Sequence, residues 1–164
     1  MKVRIVVAAA LALGVTLGTA GCNLIQPQAT TTPYDASDGV GLNVGELQLR
    51  NLMIISDDGE NGNLLVGIAN STGVDEDLHI SFVSGDAIVE GHLEVPSNDK
   101  VVTSWGAGSE DRIILGGMNT MPGGLLELAF EANGETKTVL VPVLTSAQPE
   151  YEGLEPKKIT KISK

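Results

Sequence analysis

Between Val44 and Leu144, apolar stretches of five to nine residues return about every ten residues, each closed by Gly, Asn, Asp, Ser or Pro. A chain interrupted this often cannot keep an apolar face in period over the three or four turns a packed helix needs, so the pattern is that of short strands folded back on one another. The predicted strands are residues 45–56, 63–71, 78–84, 87–95, 100–105, 112–116, 125–132 and 135–143. Their spacing predicts an all-β sandwich of about eight strands.

The sharpest local signal is the last pair, "LLELAFEANGETKTVLVPV". Leu126, Leu128 and Phe130 alternate with Glu127, Ala129 and Glu131, and Val139, Val141 and Val143 resume the alternation beyond Asn133-Gly134. Asn-Gly between alternating strands predicts a two-residue hairpin, because a type I′ turn needs positive φ at both central positions. In the first strand Leu47 and Leu49 alternate with polar neighbours, but from Leu52 to Ile55 both faces become apolar. That change predicts either burial on both sides or a bulge near Arg50-Asn51.

The amino-terminal run "MKVRIVVAAALALGVTLGTAGC" carries Lys2 and Arg4, an uncharged apolar segment from Ile5 to Leu17, and small residues up to Cys22. This is the order of an export signal, with an apolar segment too short for a permanent membrane span. "TAGC" resembles a bacterial lipobox, with Thr19 where Leu is usual; the resemblance makes Cys22 the lipidated first residue of the mature chain. Cys22 is the only cysteine, so no internal disulfide can form, and acylation accounts for an exported lone thiol. The expected organisation is a signal peptide at 1–21, a lipidated Cys and flexible tether at 22–43, a β-sandwich at 44–144 and a flexible tail at 145–164. The tether is the polar, Thr-, Gln- and Pro-rich stretch after Cys22. The expected location is the extracytoplasmic face of the cell membrane, reached through the lipid anchor.

Without Lys2 and Arg4, eight basic residues stand against 21 acidic ones, a formal charge of −13. Such a surface lacks the basic footprint that nucleic acid or anionic headgroups require.

The stretches "LLVGIANSTGVDEDLHISFVSG" and "GHLEVPSNDKVVTSWGAGSEDRIILGGMNTMPGGLLELAFEANGETKTVLVPV" resemble the periplasmic copper chaperone family PCu(A)C. With the lipobox and the "YDASDG" that opens the domain, the chain is similar to LpqE-type lipoproteins of actinobacteria, a lipidated branch related to that family. The resemblance implies an immunoglobulin-like or cupredoxin-like sandwich. It would also imply copper(I) held by two His-x-Met pairs, soft ligands for a soft ion. No His-x-Met occurs in this chain, and Arg112 and Ile114 stand where the second pair would fall.

The residues left to consider for metal are Met118 and Met121 in "GGMNTMPGG", His92, and His79. His79 lies between Leu78 and Ile80, so in a strand it points opposite to them. The acidic turn "DDGENGN" (57–63) fails the spacing of a calcium loop, with Gly59 at the third position and Ile68 at the twelfth. No nucleophile arrangement or phosphate-cradling glycine pattern occurs. The expectation is a non-catalytic binding or interaction module with an envelope protein as partner and no cofactor. The alternative is a copper(I) chaperone with a rearranged Met118, Met121 and His92 or His79 site.

Overall fold

The computed structural model describes residues 2–20, 37–98, 101–108 and 112–156. The chain divides into two units, Met1–Tyr34 and Asp35–Lys164. In the first, the run rich in Ala and Leu forms one helix, α1 (Lys2–Ala20). Among the described residues no helix is long and apolar enough to cross a membrane.

The second unit is all-β. Its strands are β1 (Val40–Val44), β2 (Leu47–Ile55), β3 (Asn61–Ala69), β4 (Glu76–Ser84), β5 (Ala87–Val95), β6 (Thr103–Trp105), β7 (Ile113–Gly116), β8 (Leu125–Ala132) and β9 (Glu135–Leu144). They join in one mixed sheet of order β5-β4-β8-β9-β2-β3-β6, with β1 added to β2 and β7 to β3. β9 joins the two halves: it pairs antiparallel with β8 along its length, and its last residues, Val143 and Leu144, run parallel to Ile54 and Ile55. The sheet curls so that both halves contribute to one core. Leu47, Leu49, Ile54, Leu64 and Ile68 come from one half, and Leu78, Phe82, Leu128, Phe130 and Val141 from the other. Each such side chain contributes roughly 1.5–3 kcal/mol by leaving water.

The hairpin between β8 and β9 is the predicted one. Asn133 and Gly134 have φ of 52° and 75°, and pairing begins flush at Ala132 with Glu135. Glu135 accepts hydrogen bonds from Lys137 Nζ and, at 2.6 Å, from the Gly45 amide. Those bonds, Lys137 first, hold its carboxyl below the ordinary range.

The bulge predicted near Arg50-Asn51 is also present. The β2–β3 register slips between Arg50 and Met53, and Asn51 takes φ of 55°. Asn51 Oδ1 accepts the Gly39 amide at 3.1 Å. A Cβ on Gly39 would come within 2.5 Å of the Asn51 backbone, so the approach requires glycine.

Both boundaries of the sandwich differ from the sequence reading. Residues 40–43, assigned to the tether, belong to β1, where Val40, Leu42 and Val44 pack on the core. The tail assigned to 145–164 is structured over its described part: Tyr151 and Leu154 form a second cluster with Met53, Ile55 and Leu65 on the far side of β2 and β3. This cover is why residues 52–55 are apolar on both faces.

Polar contacts fix the same segment. Asp57 accepts from the Ser146 hydroxyl at 2.7 Å, the Ser146 amide at 2.9 Å and the Thr145 hydroxyl at 2.9 Å. Those bonds, the Ser146 hydroxyl's first, hold the Asp57 carboxyl below its ordinary range. The buried Asn63 amide donates to Leu154 O at 2.8 Å, Arg112 donates to Gly153 O and Glu155 O, and the Tyr151 hydroxyl donates to Asp38 at 2.5 Å.

Candidate interaction site

Cys22 lies outside the described residues. The two thioethers of "GGMNTMPGG" are placed in different environments. Met118 is 2 % exposed and belongs to the main core. Its sulfur lies against Gly62, where an added Cβ would meet it at 2.7 Å. Met121 is 63 % exposed and covers Gly59.

Between them the loop is fixed to the β2–β3 turn. The Gly117 and Met118 amides donate to Glu60 O, and the Thr120 amide donates to Gly59 O. Loop and turn are thus one hydrogen-bonded unit, and the glycines permit close packing by two methionines.

His79 and His92 do come together. They face each other across β4 and β5 with ring centroids 6.1 Å apart, and His79 Nε2 is 3.4 Å from Asp77. The His79 side chain is 62 % exposed, on the outer face of the sheet.

The methionine loop meets β4 at its far end, through Ser84 Oγ donating to Gly117 O. His79 is five residues back along β4, about 16 Å at the rise of a strand. The four metal candidates therefore do not converge: one thioether is in the core, one on a turn, and the imidazoles are on an outer face. Among the described residues no group of three or more His, Cys, Asp or Glu is placed to hold a metal ion. Arg112 ties down the carboxy-terminal segment, Ile114 is 46 % exposed on β7, and Trp105 packs in the core.

The sequence reading did not single out the side of the sandwich where β5 and β7 end the two halves of the sheet. β5 pairs with β4 without a slip from Val95 opposite Glu76 to Ala87 opposite Ser84. Among the described residues no strand pairs with its other edge. Every β5 residue from Ala87 to His92 is exposed.

The connecting turn is Gly85-Asp86 with Gly85 at φ of 60°, the glycine-first form of a two-residue hairpin. Counting from Ser84 and Ala87 as the hydrogen-bonded closing pair, Val89, Gly91 and Leu93 direct their backbone groups at β4. Ile88, Glu90, His92 and Glu94 direct theirs away.

Beside this edge lies a cleft of about 120 Å³ whose lining includes Phe82, Val89, Gly91, His92, Leu93 and Ile114. Compared with family models, curated proteins and solved structures, the chain matches none of them. The fold and this open side are what the chain itself offers for a functional argument.

Proposed function

We propose that this protein is a lipid-anchored module of the cell envelope, attached through Cys22 to the extracytoplasmic face of the membrane, that binds a protein segment in extended conformation along the open side of its sandwich. The observation that carries the reading is the combination of an unpaired nine-residue edge in β5 with the apolar cleft beside it. An added strand gains main-chain hydrogen bonds from the edge and specificity from alternate side chains entering the cleft. The order of charged, apolar and small residues ahead of Cys22 supports the anchor, and the acidic surface favours a protein partner over nucleic acid. The reading involves no catalytic step. The copper alternative would require Met118 to leave the core, at a cost of about 2–5 kcal/mol, and it gains no support from the geometry.

The test is a photo-crosslinking amino acid placed at Ile114 in the full anchored chain on intact cells. Glu127, exposed on the outer face of the central strand β8, is the control position. Adducts at Ile114 and none at Glu127 are expected, and the Ile114 adducts should vanish when Cys22→Ala releases the chain from the membrane fraction. Equal labelling at the two positions would remove the open side from consideration.

A further inference from the structure

The edge of β5 carries a pattern that its own fold does not use. The strand reads Ala87-Ile88-Val89-Glu90-Gly91-His92-Leu93-Glu94-Val95, with one glycine at its centre. A mid-strand glycine weakens a strand, and it is usually explained by left-handed backbone or by crowding against a neighbour. Neither applies at Gly91: its φ is not positive, and nothing lies within 4 Å of where its Cβ would be. The use left for a glycine here is to let a ligand or a backbone from outside the chain come close.

The charges on the strand select which backbone that is. An incoming antiparallel strand must bond to the outward-facing groups of Ile88, Glu90, His92 and Glu94. If that strand is a second β5, three two-fold registers keep most of the strand paired, centred on residue 90, 91 or 92. Centring on 90 sets Glu90 against its own copy, and centring on 92 sets Glu90 against Glu94; like charges directly opposite are destabilising.

Centring on Gly91 sets Glu90 opposite His92 twice and Ile88 opposite Glu94. On the inner face it sets Val89 opposite Leu93, continuing the apolar row of the cleft. It also places Gly91 on the axis as a non-hydrogen-bonded pair, where the two backbones approach most closely, with Cα atoms about 4.5 Å apart.

The strand lacks the commonest devices that block such pairing. It contains no Lys, no Pro and no bulge, whereas β6 and β7, at the opposite end of the sheet order, are blunted to three and four residues.

We infer that β5 pairs across its free edge with β5 of a second copy of this chain, antiparallel about a two-fold axis through Gly91, joining two sandwiches through one continuous sheet. This rests on the proposed interaction reading and names the partner for the same side of the molecule.

The test uses the full anchored chain on intact cells carrying Gly91→Cys, with Glu127→Cys as control. On-axis cysteines would lie within the Cα range that a disulfide spans, about 4.4–6.8 Å. Mild oxidation with diamide should therefore give a covalent dimer from Gly91→Cys and none from Glu127→Cys. Adding His92→Glu to the Gly91→Cys chain should lower the dimer yield about fivefold by setting carboxylates opposite each other at positions 90 and 92. Adding Glu90→Lys to that chain should restore the yield, which a merely unfolded variant could not do.

A Gly91→Cys chain that dimerises no more than the control overturns the inference, as does a yield indifferent to His92→Glu or not rescued by the double change. An Ile114 adduct of another mass, with no Gly91→Cys dimer, overturns only the second copy as partner. No Ile114 adduct overturns the interaction reading itself.

Discussion

At the scale of single residues, the two methionines of "GGMNTMPGG" show how one sequence motif can hold two unrelated roles. Met118 fills the space that Gly62 leaves open between Ile54 and the loop, while Met121 covers a turn from outside. Met118→Ala should lower stability by about 2–5 kcal/mol, and Met121→Ala should change it by no more than about 0.5 kcal/mol. Urea unfolding of the two variants measures both; equal effects would contradict the placement. Sequence alone could not separate them, because the loop has no period to say which side chain faces inward. His79 was different: the strand alternation put it opposite Leu78 and Ile80, and it is on the outer face.

At the scale of elements, legibility followed local chemistry. β5 and β8 have the predicted ends, and the Asn133-Gly134 turn and the Arg50-Asn51 bulge were readable because each depends on a few adjacent residues. β1 and the segment 145–156 were not readable. β1 has only three apolar residues among Gly and Asn, and the carboxy-terminal segment is held by two isolated anchors, Tyr151 and Leu154, and by bonds to distant residues.

That segment should respond to alkali. The Tyr151 hydroxyl donates to Asp38, and this bond, with burial and nearby carboxylates, pushes its pKa up to about 12. The protonated tyrosine is favoured in the folded chain, so its contribution is complete below pH 10, the ordinary tyrosine value. It is lost as pH rises from there to about 12. Tyr151→Phe should cost about 1 kcal/mol near neutrality and remove this alkaline loss. The measurement is urea unfolding of both chains from pH 8 to 12, and an unchanged alkaline slope in the variant would contradict the assignment.

At the scale of the whole molecule, the sandwich is closed on one side and open on the other. On the closed side β1 bridges to the β8–β9 hairpin through the Gly45 amide on Glu135 and Lys137 on Asn43 O. On the open side β5 presents a regular, exposed edge beside an apolar cleft. The recurrence of apolar stretches identified 87–95 as a strand but not its position in the sheet, since edge or centre is decided by topology and not by the strand's own residues.

The central claim is that this edge is paired when the protein is in its working state. The most direct measurement is amide hydrogen exchange of the full chain reconstituted in phospholipid vesicles, resolved along β5. Pairing predicts slow exchange at Glu90 and His92, whose amides face away from β4, matching that of Val89 and Gly91, which face it. Fast exchange at Glu90 and His92 beside slow exchange at Val89 and Gly91 would mean that the edge is bare, and would contradict the account.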